Sequence, residues 1–138
     1  MQSNVKKIYT TLLNNNIKKT KVEILCKVND IEFEVKNKDI MGNLIQSWLE
    51  VFLDKNNINW NGPNNTQAYP DFILDDDQHM ELKCWFKDAS PAFDLANFKS
   101  LVNDLTINPK RLNTDYLIFN YGFDDSGITI NDFWVKKI

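Results

Sequence analysis

The residues best suited to chemistry lie between positions 69 and 86, where two apolar runs flank a polar turn. This pattern predicts a β-hairpin. Side chains alternate along a strand, so Glu81 and Lys83 share one face of the second run, and Asp71 begins the neighbouring run. Two carboxylates on adjacent strands form an oxygen site that suits Mg²⁺. A lysine beside them can orient or deprotonate a water, or stabilise the transition state of phosphoryl chemistry.

The same residue types also fit a plainer interpretation. Pro-Asp and Glu-x-Lys are both common by chance, and Glu81 with Lys83 could be a solvated pair on an edge hairpin, which stabilises little. The hairpin between the motifs favours chemistry, because both carboxylates are then held at neighbouring strand ends. The three aspartates at 75–77 read as a solvated turn. His79 is given no role.

Composition points to one soluble globular domain spanning residues 1–138. The net charge is −3, which argues against a non-specific nucleic-acid binder but allows a nuclease with a local basic groove. No apolar run has membrane-spanning length, and the N-terminus lacks a signal-peptide core. Cys26 and Cys84 have no metal-ligand or redox-motif spacing, so both are expected to be reduced thiols in a cytoplasmic protein.

Hydrophobic periodicity predicts a mixed α/β fold, with a β-sheet flanked by helices. The predicted helices cover residues 4–14, 41–53 and a segment that begins at Ser90. Two strands at 21–28 and 31–35 form a first hairpin, and a polar loop at 56–66, anchored by Trp60, precedes the second. The remaining predicted strands cover residues 115–121, 128–130 and 133–138.

Two helices carry further polar candidates. Gln46 and Glu50 stand one turn apart on the helix from Met41, where they either face solvent or offer an accessory group to the metal. Ser90 is a good N-cap with Pro91 at the first helical position. A polar helix start beside the site could also hold a phosphate.

Pro-Asp, a hairpin and Glu-x-Lys resemble the PD-(D/E)xK nucleases. Together, the segments at 42–49, 64–67, 70–72, 81–83, 90–98 and 115–121 resemble type II restriction endonucleases of the NgoBV kind. This resemblance implies a restriction-endonuclease-like fold and a Mg²⁺-dependent enzyme that cuts duplex DNA at a short specific sequence. It also implies a homodimer and a cognate DNA methyltransferase in the same system.

The resemblance also implies roles for single residues. Asp71 and Glu81 would bind the metal, and Lys83 would serve the attacking water. The accessory residue would be Gln46, with Glu50 as the second choice. Candidate substrate-binding residues, taken from the matching segments, are Gln67 and Ser90.

Members of this family continue beyond the strand at 133–138, so we expect this chain to lack a C-terminal part. Site-specific cleavage could be lost with it, which leaves two rivals open. One is a catalytically silent module that binds DNA or protein. The other is a repair or junction-resolving nuclease on the same fold, although such enzymes are usually basic.

Overall fold

The computed structural model describes residues 1–33, 40–63, 68–89, 98–124 and 127–137. Within these ranges the chain forms the mixed α/β arrangement that the sequence predicts. The helices are α1 (Ser3–Asn14), α2 (Met41–Lys55) and α3 (Phe98–Ile107). The strands are β1 (Thr20–Val22), β2 (Cys26–Val28), β3 (Ile31–Phe33), β4 (Trp60–Asn61), β5 (Phe72–Leu74), β6 (Gln78–Phe86), β7 (Asp115–Asp124) and β8 (Gly127–Lys137).

Six strands form the main sheet, in the order β1-β8-β7-β6-β5-β4. The pair β6–β7 is parallel and the other neighbours are antiparallel. In the parallel pair, Glu81 lies beside Tyr116 and Lys83 beside Ile118. The strands β2 and β3 form a separate hairpin.

The main sheet presents different side chains on its two faces because successive residues of each strand alternate. Met80 and Leu82 of β6 join the hydrophobic core, and Cys84 and Phe86 pack against it. This core contains the buried stripes of α1 (Val5, Ile8 and Leu12) and α2 (Met41, Ile45, Leu49, Phe52 and Leu53). Glu81, Lys83 and Trp85 alternate with the core residues of β6 and therefore occupy the opposite face.

The predicted hairpin at 69–86 is confirmed. β5 and β6 pair with Phe72 opposite Met80, and a 3₁₀ turn, Asp75–Asp77, joins them. Several hydrogen bonds fasten the start of α1 to this hairpin. The Asn4 backbone N–H donates to Gln78 Oε1 and Gln2 Nε2 donates to the His79 carbonyl, both at 2.9 Å. The N-terminal helix therefore fixes the position of the hairpin that carries Glu81.

Two predictions about strands were wrong in their boundaries. Residues 21–28 were predicted as one strand, yet β1 pairs with β8 while β2 pairs with β3. The break between them leaves Leu25 91% exposed. Near the C-terminus, the two predicted strands are one continuous strand, β8, and a register shift at Asn120/Tyr121 accommodates its pairing with β7.

The loop before the hairpin contains the short edge strand β4. Trp60 packs against the Phe72 ring with the centroids 5.4 Å apart, and its Nε1 donates to Asp54 Oδ1 at 2.8 Å. The predicted anchoring role of Trp60 is thus confirmed.

The predicted helix start at Ser90 lies outside the described residues. None of the helices in the described ranges is long and apolar enough to cross a membrane.

Candidate active site

Asp71 and Glu81 face each other across the β5–β6 hairpin. Phe72 lies opposite Met80, so the next pair outward is Asp71 with Glu81. Their side chains are in hydrogen-bond contact. Asp71 Oδ2 also accepts the Leu82 backbone N–H at 2.7 Å, which ties the aspartate to the strand that carries the glutamate. The hairpin therefore brings together the two carboxylates that the sequence singled out.

Glu81 lies in an environment that disfavours its charge. It is only 8% exposed, and burial raises its pKa to about 8. The hydrogen bond with Asp71 and the negative charge of Asp71 act in the same direction, while the charges of Lys83 and Arg111 oppose the rise. A proton is therefore retained on this buried pair near neutral pH, and a cation bound there would replace it.

Lys83 lies on the same strand face as Glu81 and more towards solvent. Its Nζ is 3.9 Å from Glu81 Oε2, near the long limit for an ion pair, and its side chain is 30% exposed. The ammonium group is thus held beside the carboxylates without forming a tight bond to Glu81. Its position suits a group that acts on an incoming water or phosphate.

The accessory candidates Gln46 and Glu50 lie on α2, which packs its buried stripe against the core face of the sheet. Both side chains are half-buried. Within the described parts of the chain, no hydrogen bond or ion pair connects either of them to Asp71 or Glu81. Their accessory role stays a prediction. The two substrate-binding candidates, Gln67 and Ser90, lie outside the described residues.

Arg111 is a site residue to which the sequence analysis gave no role. It belongs to a 3₁₀ helix, Pro109–Asn113, that precedes β7. Its guanidinium carbon lies 4.7 Å from the centroid of the Tyr69 ring, and the side chain is hydrogen-bonded to Tyr116. Because Tyr116 is the register partner of Glu81, this contact brings Arg111 next to the carboxylate pair. The signal that could have identified it is its rarity, since it is the only arginine in the chain.

A buried polar network supports the Tyr69 ring. Tyr69 Oη lies 3.1 Å from His79 Nδ1 and is also hydrogen-bonded to Thr114 Oγ1. On its other side, His79 Nε2 lies 3.2 Å from Asp77 Oδ1. Burial lowers the pKa of His79, so the ring is expected to be neutral at neutral pH. Although the sequence assigned His79 no role, it holds an aromatic residue beside the site.

The donor set fits a hard divalent cation only in part. Two carboxylates in contact, buried beside a lysine, are suited to Mg²⁺, which is commonly held by one or two carboxylates together with waters and substrate phosphates. No group of three or more His, Cys, Asp or Glu side chains that could hold a metal occurs among the described residues. Substrate oxygens and water would therefore have to complete the coordination shell.

Known proteins are similar to this chain in sequence and in fold. The sequence model of the NgoBV restriction endonuclease family matches residues 2–138. The type II restriction enzyme NlaIV of Neisseria lactamica is 41% identical over 116 residues, covering 80% of this chain and 48% of that protein. The type II restriction enzyme NgoBV of Neisseria gonorrhoeae is 37% identical over 118 residues, covering 80% of this chain and 66% of that protein.

A solved structure gives the same result for the fold. The NlaIV restriction endonuclease matches with a TM-score of 0.86 and 37% identity, over 100% of this chain and 58% of that structure. This chain thus spans between about half and two thirds of the length of these relatives. The match confirms the predicted restriction-endonuclease-like sheet, and the relatives are named as type II restriction enzymes. The sequence and the fold of this chain together show that it belongs to the NgoBV restriction endonuclease family.

Proposed function

We propose that this protein is a Mg²⁺-dependent type II restriction endonuclease that hydrolyses phosphodiester bonds of duplex DNA at a short specific sequence. The observation that carries the proposal is the contact between Asp71 and Glu81 beside Lys83, in a chain of the NgoBV family. Such a site offers two anionic metal ligands and one cation at the same place, which suits metal-assisted hydrolysis of a phosphodiester.

Asp71 and Glu81 are the residues that would hold the metal. Asp71 is fixed by the Leu82 N–H, and Glu81 would give up its proton in order to bind a cation. The chemistry that Mg²⁺ supplies when held there is neutralisation of phosphate charge and activation of a water. Lys83 orients that water or stabilises the charge that develops on the phosphate, so it acts mainly in the transition state.

A local concentration of positive charge favours DNA as the substrate despite the net charge of −3. The register places Tyr116 beside Glu81 and Lys136 beside Tyr116, and cross-strand neighbours of this kind share a sheet face. Lys136 is exposed, so this face carries Lys83, Arg111 and Lys136 around the carboxylate pair. Such a patch attracts the phosphate backbone even when the whole protein is acidic.

The remaining parts of the proposal follow from the family. Gln46, or Glu50 one turn later, would be the accessory residue, and Gln67 and Ser90 would contact DNA. The protein would act in the cytoplasm as a homodimer, alongside a cognate DNA methyltransferase that protects the same sequence. That enzyme is a functional counterpart and need not bind this protein.

The test is to incubate the purified protein with plasmid DNA and Mg²⁺ and to sequence the ends that form. We expect ends at one short recurrent sequence, and no cutting in EDTA or by the Lys83→Ala variant. The Lys55→Ala variant is the matched control and should cut like the wild type, because Lys55 is exposed in the last turn of α2, outside this positive patch. If no ends form while the protein still binds duplex DNA, the protein is a silent DNA-binding module. Ends without a shared sequence, formed preferentially on branched DNA, would instead indicate a repair nuclease.

A further inference from the structure

Arg111 is held in place by two aromatic residues, one from the loop before β5 and one from β7. Its guanidinium lies over the Tyr69 ring at 4.7 Å, a distance at which a cation is attracted to the ring face. The same side chain is hydrogen-bonded to Tyr116 on β7. Contacts to two separate segments of the chain restrict the rotamers of a long side chain, so Arg111 presents its charge in a defined direction.

The Tyr69 ring is itself fixed, so it can act as a platform. Its hydroxyl group is hydrogen-bonded to Thr114, which is buried, and lies 3.1 Å from Nδ1 of the buried His79. His79 belongs to β6, two residues before Glu81. The strand that carries Glu81 therefore also positions the ring that holds Arg111.

The position of Arg111 relative to the carboxylates suggests what it binds. Glu81 and Tyr116 are register partners on neighbouring parallel strands, so their side chains lie next to each other. Lys83 is on the Glu81 strand, whereas Arg111 reaches the pair from the side of Tyr116. Two cations thus approach the pair from different elements. A phosphodiester backbone carries one anionic group per nucleotide, and arginine recognises such groups with paired hydrogen bonds.

We propose that Arg111 binds a DNA phosphate next to the scissile bond and that Tyr69 is the positioning residue that directs it there. This inference rests on the proposed function, because it requires that duplex DNA reach the Asp71–Glu81 pair. It assigns Arg111 to substrate binding and Lys83 to the chemical step. The alternative is that Arg111 serves only as a structural counter-charge for Glu81.

The test measures binding of a short fluorescent duplex of mixed sequence in Ca²⁺ at several salt concentrations. We expect Arg111→Met to weaken binding by about tenfold to a hundredfold, the range for a charge-assisted hydrogen bond. The slope of log K against log salt should become shallower by about one, as expected for one lost phosphate contact. Arg111→Lys should restore the salt slope and part of the affinity, because it keeps the charge but loses the planar fork.

Lys55→Met is the matched control. Lys55 is exposed in the last turn of α2, outside the group of cations around the carboxylate pair. Its removal changes the net charge by the same amount as Arg111→Met but removes no proposed phosphate contact, so the affinity should stay within about twofold of that of the wild type. A purely structural role for Arg111 would lower the melting temperature of Arg111→Met without changing the salt slope.

Two further variants test the platform. Tyr69→Phe keeps the ring face but removes the hydroxyl group that fixes it, so its affinity should fall between those of the wild type and Tyr69→Leu. Tyr69→Leu removes the ring face and should behave like Arg111→Met. If the wild type binds and Arg111→Met binds equally well with the same slope, this inference fails while the proposed function stands. If the wild type binds no duplex at any salt concentration, both fail together.

Discussion

Replacing Glu81 by glutamine should stabilise the metal-free protein at neutral pH. Burial raises the pKa of Glu81 to about 8, so folding favours the protonated form of this side chain. The stability that the protonated form contributes is complete below the ordinary carboxyl pKa and is lost as the pH rises through the folded value. Glutamine keeps the shape and can donate a hydrogen bond to Asp71, but it cannot ionise.

The size of the effect follows from the linkage between protonation and folding. Each unit of pH between the pKa values of Glu81 in the unfolded and the folded protein lowers the free energy of unfolding by about 1.4 kcal/mol. Between about pH 5.5 and about pH 7.5 the wild type should therefore lose roughly 2 to 3 kcal/mol relative to Glu81→Gln. The two proteins should be nearly equal in stability only below about pH 4.5, and the advantage of the variant should then grow as the pH rises towards about 8.

The assay is urea unfolding followed by tryptophan fluorescence, in EDTA, at several pH values. Glu32→Gln is the control, because it makes the same chemical change at an exposed residue of β3, outside the main sheet. Titrating groups away from the Asp71–Glu81 pair contribute equally to all three proteins and cancel in the difference, so the difference reports on the pair. If the wild type and the Glu81→Gln variant had parallel pH profiles of stability, the conclusion that burial raises the pKa of Glu81 would be refuted.

Three further predictions concern the chemistry and the core. Lys83→Ala should slow Mg²⁺-dependent cutting by about a hundredfold or more while lowering the affinity for DNA in Ca²⁺ far less, because the lysine acts mainly in the transition state; equal cutting rates would rule this role out. Gln46→Ala should slow cutting by about tenfold or more, and Glu50→Ala by less, if Gln46 is the accessory residue; rates equal to the wild type for both would leave α2 as scaffold. Phe133→Ala should cost about 3 to 5 kcal/mol in chemical unfolding, since this ring is 1% exposed and packs against Tyr9 and Phe119; a loss below about 1 kcal/mol would contradict that packing.

The β5–β6 hairpin could be predicted because its determinants are local. Alternation along residues 78–86 fixes which side chains share a face with Glu81, and the aspartates at 75–77 mark the turn. Asp76 and Asp77 indeed adopt positive φ angles of 58° and 53° in that turn. With the turn and the phase known, the approach of Asp71 to Glu81 follows.

Features that depend on distant segments could not be predicted in the same way. The strand β1 ends early because its partner is β8, more than a hundred residues later, and no local pattern in residues 21–28 indicates that pairing. Arg111 likewise reaches the site through contacts with Tyr69 and Tyr116, which come from two different segments. Its immediate sequence reads only as a basic turn.

The most direct test of the central claim is a titration of the protein with Mn²⁺, a spectroscopic substitute for Mg²⁺, followed by the electron paramagnetic resonance signal of the free ion. If Asp71 and Glu81 form the metal site, the wild type should bind the ion, and more strongly at about pH 8 than at about pH 6, because the cation must displace the proton shared by the pair. Asp71→Asn and Glu81→Gln should lose this binding, whereas Glu32→Gln should keep it. Binding that survives in both site variants would contradict the assignment of the metal to this pair.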